Sequence, residues 1–235
     1  MKQIEKLLEH SSRYIRNSIE SQNLTFRHKP TFNLFEIYSS YIKPTHVKEV
    51  HIQAEQVLKY MIGNCGDLTN LIHIYLQLYD FNLDHNYYTV VLRPGQHELL
   101  LVHDNKIFHN ILMCSANTIF IEIGTYEDLL KNINHMFGDS EFYIVDTWLG
   151  KTVKLNKNGL DQLVSFALHH YKEEAQIYMR NFYKTTILAG SPASISVNKS
   201  LNESLKNITN VNNFFENIYN DYCMVSKLNY RKYFL

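Results

Sequence analysis

The chain has 235 residues, with 23 basic and 23 acidic side chains, and 45% of its residues are hydrophobic. This composition is typical of a soluble globular protein and excludes a largely disordered chain. The balanced charge argues against nucleic-acid binding through a broad basic face, so no nucleic-acid partner is expected. No apolar run approaches the roughly 18 residues of a membrane-spanning helix, so no membrane span is expected.

The N-terminal segment and the cysteines narrow the cellular setting. The first residues lack the apolar core and cleavage site of a secretory signal peptide, which predicts a cytoplasmic protein unless export uses another route. The three cysteines, Cys65, Cys114 and Cys223, form no CxxC pair, which argues against a disulfide scaffold or a zinc ribbon. We therefore expect neither a metal nor a cofactor.

Hydrophobic periodicity predicts helices in the first third of the chain. They are predicted over 3–20, over 32–38, from just after Thr45 to Gly63, and from Cys65 to Tyr79. The last of these carries the clearest amphipathic pattern of the chain.

The middle of the chain is rich in β-branched and aromatic residues, and the pattern becomes helical again after it. Strands are predicted over 87–92, 97–103, 118–123, 142–146 and 152–155, with a short helix over 126–133; helices follow over 160–183 and 201–219, separated by a flexible loop over 188–200. Helices, then a sheet, then helices predict an α+β fold with a mainly antiparallel sheet and extra C-terminal helices.

Cys65 lies in the segment Gly63-Asn64-Cys65-Gly66-Asp67, at the start of a predicted helix. The N–H groups and dipole of a helix N-terminus favour a thiolate, the nucleophilic form of cysteine. Gly66 would let another chain approach closely, and the Cys65 N–H would point to where an oxyanion forms. The alternative interpretation is a small buried cysteine that caps a helix. Cys114 and Cys223 have no comparable setting, and we interpret them as structural.

A nucleophilic cysteine needs a base and a group that orients the base. His97 follows a Pro-Gly turn and opens the strand HELLLVH, where it can face a helix N-terminus; His103, on the same strand, and His109 are competitors. Asp146 ends the apolar strand FYIVD and precedes Trp148, so it can hold the imidazole in one tautomer. A surface histidine and a turn-initiating aspartate are the alternative interpretations.

Three segments carry these residues: GNCGDLTNLIHIYL around Cys65, HELLLV from His97, and YIVDTWLG around Asp146. Together they resemble the papain-like and transglutaminase-like Cys-His-Asp superfamily, most of all bacterial effector cysteine protease and deamidase domains. The resemblance implies a papain-like catalytic core over 45–155, with Cys65 as nucleophile, His97 as base and Asp146 as acid. It further implies an N-terminal helical extension over 1–44 and a C-terminal helical region over 156–235 packed on the core.

The chain departs from the pattern of this superfamily in two places. The interval from His97 to Asp146 is longer than usual, and we assign the excess to a strand and helix inserted over 107–139. A papain-type oxyanion glutamine is missing because position 59 is lysine, so Asn64 or Gln53 would substitute. Asn64, Gly66 and Trp148 are the predicted supporting residues.

The resemblance implies a thiol enzyme that attacks amide bonds of a protein or peptide substrate. Proteolysis, glutamine deamidation and transglutamination all use this triad. For a bacterial effector, the resemblance implies that the substrate is a host protein, which the enzyme would reach by secretion without a signal peptide. Two alternatives stay open. The blocks HELLLV and VDTWLG are loosely similar to those of arylamine N-acetyltransferases, and a non-catalytic papain-like interaction module would need no reactive thiol. The sequence leaves the oligomeric state open.

Overall fold

The structure is a computed structural model that describes residues 3–21, 38–42, 50–79, 87–95, 97–114, 121–179, 182–190 and 209–232. The helices are α1 (Gln3–Ser18), α2 (Val50–Tyr60), α3 (Cys65–Tyr79), α4 (Lys106–Cys114), α5 (Tyr126–Met136), α6 (Lys157–Met179) and α7 (Thr209–Lys232), with a π-helical turn at Tyr38–Ile42 and a 3₁₀ turn at Phe182–Lys184. The strands are β1 (Glu20–Ser21), β2 (Ile62–Gly63), β3 (Tyr88–Pro94), β4 (Leu99–His103), β5 (Ile121–Glu122), β6 (Phe142–Asp146), β7 (Lys151–Lys154) and β8 (Ile187–Gly190). The predicted α+β class is confirmed.

The central sheet of the described residues is antiparallel throughout, with the strand order β5-β8-β3-β4-β6-β7. Strands β3 and β4 form the predicted hairpin, in which Leu92 pairs with Leu99 and Tyr88 pairs with His103. Every residue of β4 and β6 is buried, which requires cover on both faces of the sheet.

The helices enclose one hydrophobic core together with the sheet. Helix α3 contributes Leu68, Leu71 and Ile72, all inaccessible to solvent, and packs against β4, α1 and α2. Phe215 of α7 is also inaccessible, and its ring centroid lies 5.6 Å from that of Tyr75 on α3. Each such side chain contributes about 1.5–3 kcal/mol through removal of apolar surface from water. Helices α1 and α7 therefore share the core that holds α3 in place.

Helix α1 is attached to strand β7 through the buried carboxylate of Glu9. The Thr152 N–H donates to Glu9 Oε2 at 2.6 Å, and the Lys151 ammonium donates to Oε1 at 3.0 Å. Arg13, one turn further along the helix, also donates to Oε1 at 2.6 Å. Because β7 lies at one edge of the described sheet, its outward N–H has no neighbouring strand as partner, and Glu9 accepts from it instead.

We expect Glu9→Ala to lower the free energy of unfolding by about 1–3 kcal/mol, since it leaves the buried Thr152 N–H without an acceptor. The measurement is urea unfolding followed by circular dichroism. Glu20→Ala, which alters an exposed glutamate, is the control and should stay within about 0.5 kcal/mol of the unmodified protein. An unchanged midpoint in Glu9→Ala would show that this carboxylate does not hold α1.

The predicted helix end at Gly63 is wrong. Helix α2 ends at Tyr60, Met61 adopts a left-handed φ of 53°, and Ile62–Gly63 pair in parallel with Glu20–Ser21. A Cβ on Gly63 would lie 3.0 Å from Cβ of Asp67. The glycine therefore permits close packing against the first turn of α3, and it does not terminate α2.

The loop predicted over 188–200 is wrong at its start, where Ile187–Gly190 form strand β8. This strand lies between β3 and β5, and Val91 pairs with Gly190. A short run with alanine and glycine has low β propensity, so pairing with a strand far back in the chain decides its structure. Residues 191–200 lie outside the described part of the chain.

Several other predictions fall partly outside the described residues. Of the helix predicted over 32–38, the structure describes only residue 38, which begins the π-helical turn. Of the strand predicted over 118–123, it describes the part that forms β5. The stretch 107–139 contains most of α4, all of β5 and all of α5, so it holds one helix more than predicted. The last helix continues to Lys232, beyond its predicted end at 219.

None of the described helices has the length and apolar character needed to cross a membrane.

Candidate active site

Cys65 is the first residue of α3, and a reciprocal cap fixes this helix start. The Asp67 N–H donates to Asn64 Oδ1 at 3.0 Å, and the Asn64 N–H donates to Asp67 Oδ2 at 2.8 Å. Asp67 is only 1% exposed, and its Oδ1 accepts from the Gln53 amide. The cap places the half-buried Cys65 at the positive end of the helix dipole.

The hairpin between β3 and β4 brings His97 to the start of α3. The His97 N–H donates to the Pro94 carbonyl at 3.3 Å across the turn. Thr69, in the second turn of α3, donates its hydroxyl to the Glu98 carbonyl at 3.1 Å and ties the helix to this segment. In this position the His97 side chain forms a hydrogen bond with the Cys65 side chain.

Asp146, at the end of β6, lies on the other side of the imidazole. Its Oδ2 accepts from His97 Nε2 at 2.9 Å, and its Oδ1 accepts from the Leu149 N–H at 3.0 Å. Because Nε2 is hydrogen-bonded to Asp146, Nδ1 is the ring nitrogen left for the hydrogen bond with Cys65. The structure thus brings Cys65, His97 and Asp146 together in one hydrogen-bonded row, and their catalytic roles stay predictions.

The surroundings of Asp146 hold its carboxylate in one position. Asp146 is fully buried, and the Trp148 and His97 rings pack edge to face with 5.5 Å between their centroids. The turn after Asp146 closes through a hydrogen bond of 3.2 Å from the Gly150 N–H to the Thr147 carbonyl. A Cβ on Gly150 would lie 3.1 Å from Cβ of Arg16, so α1 packs directly against this turn.

Two opposing effects act on the proton of His97. Burial by itself would lower the pKa of His97, but the negative charge and hydrogen bond of Asp146, together with the bond to Cys65, raise the pKa to about 10. His97 therefore carries its proton at neutral pH, which is the state that a general acid needs.

The competing histidines lie at the other end of the sheet. His103 pairs with Tyr88 and Phe142 at the far end of β4, roughly 20 Å of extended chain from His97. Burial and the neighbouring His109 lower the pKa of His103 to about 3. His109, on α4, stacks on Tyr88 at 4.4 Å between centroids. The structure does not bring either histidine to Cys65.

The predicted supporting residues have distinct contacts. Asn64 caps α3, and Trp148 packs on His97, as described above. Gln53 uses both ends of its amide around the cap, because it donates to Asp67 and accepts from Asn70 at 3.2 Å. We therefore assign Gln53 to positioning α3, and the oxyanion role suggested for it has no support in its contacts. The group that lies against Gly66 is the Glu98 carboxylate, because a Cβ on Gly66 would lie 2.8 Å from Glu98 Oε2.

Two residues around this site, Glu98 and Tyr126, were not predicted from the sequence. Glu98 lies against Gly66, the residue after Cys65, and pairs with Arg93 of β3. Tyr126 of α5 is fully buried, and burial together with the charge of Asp146 holds its pKa well above the usual range. The signal for Glu98 was available, since this charged residue lies between His97 and the apolar run that begins at Leu99. No local pattern could place Tyr126 beside Asp146.

Within the described ranges, no cluster of three or more His, Cys, Asp or Glu side chains could hold a metal ion. Comparisons with models of known families, with curated proteins and with solved structures found no match for the chain. The geometry of the row around His97 is therefore the basis for a functional assignment.

Proposed function

We propose that the chain is a thiol enzyme that attacks amide bonds of a protein or peptide substrate. The observation that supports it is the hydrogen-bonded row from Cys65 through His97 to Asp146. Each member has the surroundings that its role needs: a helix N-terminus for the nucleophile, a raised pKa for the acid–base group, and a buried carboxylate held by a backbone N–H.

In the proposed reaction the Cys65 sulfur attacks the amide carbon and forms a tetrahedral intermediate. His97 gives its proton to the leaving nitrogen as the carbon–nitrogen bond breaks, and a thioester to Cys65 remains. Water activated by His97, or an amine, then attacks the thioester and releases the enzyme. Water on a peptide bond gives proteolysis, water on a glutamine side chain gives deamidation, and an amine gives transglutamination.

We further propose that the substrate is a host protein, which the enzyme reaches by secretion without a signal peptide. This step rests on the resemblance of the three segments to bacterial effector domains. The same resemblance supports a papain-like arrangement of the core. The host-protein substrate and the papain-like core are therefore parts of the same proposal as the reaction.

The first test is the reactivity of Cys65. We expect iodoacetamide at neutral pH to label Cys65 at least about tenfold faster than Cys223, because the thiolate accompanied by protonated His97 is the reactive species. Peptide mapping by mass spectrometry gives both rates in the same sample, so Cys223, which is also half-buried, is the internal control. A Cys65 that reacts no faster than Cys223 would contradict the proposal and favour a non-catalytic interaction module.

The second test identifies the product. A mixture of peptides and proteins is incubated with the enzyme and a fluorescent primary amine, and new N-termini, ammonia and incorporated amine are measured. New N-termini correspond to proteolysis, ammonia without incorporated amine corresponds to deamidation, and incorporated amine with released ammonia corresponds to transglutamination. Formation of each product should stop after alkylation of Cys65. Transfer of acetyl groups from acetyl-CoA to an arylamine, with none of these products, would contradict amide chemistry.

A further inference from the structure

Glu98 places a carboxylate beside Gly66, the residue that directly follows Cys65. Its Oε2 lies 2.8 Å from the position that a Cβ on Gly66 would take, and Gly66 directly follows the nucleophile. Glu98 itself directly follows His97. The carboxylate therefore lies against the residue that follows the nucleophile, and a side chain at position 66 would require the carboxylate to move.

The Glu98 charge is only partly balanced. Its Oε1 pairs with Arg93 Nη2, while Oε2 is the oxygen that faces Gly66. The Arg93 side chain is 41% exposed and the Glu98 side chain is 18% exposed. Water screens the guanidinium more strongly than the carboxylate, so the negative charge beside Gly66 is the less screened of the two.

We infer that Glu98 is a specificity-determining residue that rejects substrates with a carboxylate next to the attacked amide and favours neutral or cationic groups there. This inference rests on the proposed function and specifies its substrate class. A fixed charge beside a reactive group selects substrates by repulsion as well as by attraction. The Glu98 charge thus favours peptides with a neutral amide or basic side chains around the reacting bond and disfavours acidic peptides.

The test uses two alkylating probes that differ in charge, neutral iodoacetamide and anionic iodoacetate. In both reactions the Cys65 sulfur displaces iodide, and a thioether forms. The quantity measured is the ratio of the iodoacetamide rate to the iodoacetate rate at Cys65. We expect Glu98→Gln to lower this ratio about five- to tenfold, because the repulsion of the anionic probe is lost. Glu216→Gln, which alters an exposed glutamate on α7, should leave it unchanged.

A second variant guards against a Glu98→Gln protein that does not fold. Arg93→Gln removes the balancing charge and leaves the carboxylate, so it should raise the ratio. A ratio that changes in neither variant would overturn the inference, as would a decrease in Arg93→Gln. Fast alkylation of Cys65 with an unchanged ratio would contradict the role of Glu98 alone, whereas slow alkylation by both probes would contradict the proposed function.

Discussion

Replacing Cys65 with alanine is expected to lower amide turnover by a factor on the order of 10⁴ or more. The sulfur is the atom that forms the covalent intermediate, and no other group in the row can replace it. The fold should be retained, because Cys65 is half-buried at a helix start whose cap is built by Asn64 and Asp67. Turnover and thermal unfolding are measured on the same preparation.

Cys223→Ala is the matched control for this experiment. It removes another half-buried cysteine, on α7, and should keep full turnover. Turnover in Cys65→Ala equal to that of the unmodified protein would rule out the proposed mechanism. A large drop in the unfolding midpoint would instead mean that Cys65 supports the helix start.

Replacing Asp146 with asparagine is expected to lower turnover by about 10³–10⁴-fold. Asparagine has nearly the same shape, so the turn to Leu149 can remain, but the negative charge that raises the pKa of His97 is lost. Burial then dominates, and His97 should be neutral at pH 7. Nitrogen NMR of the imidazole reports this directly, since the two protonation states have different shifts. A His97 that stays protonated at neutral pH in Asp146→Asn would contradict this account.

The same variant predicts a pH-dependent difference in stability. The pKa of His97 is raised from 6.5 to about 10, so the folded protein holds this proton more tightly than the unfolded chain. The resulting stabilisation is fully present below about pH 6.5 and is lost as the pH rises through about 10. The unmodified protein should therefore exceed Asp146→Asn by about 1–3 kcal/mol near pH 6, and the gap should shrink toward pH 10. Urea unfolding at several pH values measures it.

The candidate site could be predicted from sequence to the extent that local patterns place its residues. Cys65 follows from an amphipathic helix with a strong N-terminal signal, His97 from a Pro-Gly turn before an apolar strand, and Asp146 from the end of an apolar strand. These signals act over a few residues, and the elements predicted from them are present. The choice of His97 over His103 could not be made from the sequence, because the predicted strand over 97–103 carries both, whereas β4 begins at Leu99.

The parts that could not be predicted depend on long-range contacts. Strand β8 has little strand propensity and is decided by pairing with β3. Gly63 looks like a helix terminator, but its small size serves packing against Asp67. The attachment of α1 beside Asp146 likewise depends on Gly150 and Arg16, which no short sequence window connects.

The contact between Glu9 and the edge of the sheet also bears on self-association. An uncovered strand edge offers its backbone groups to a second molecule, which is a common route to aggregation. In this fold the Glu9 carboxylate occupies the Thr152 N–H on β7 and places a charge where an incoming strand would pair. Detachment of α1 would therefore loosen the turn after Asp146 and would also expose the edge of β7 to pairing with a strand of a second molecule.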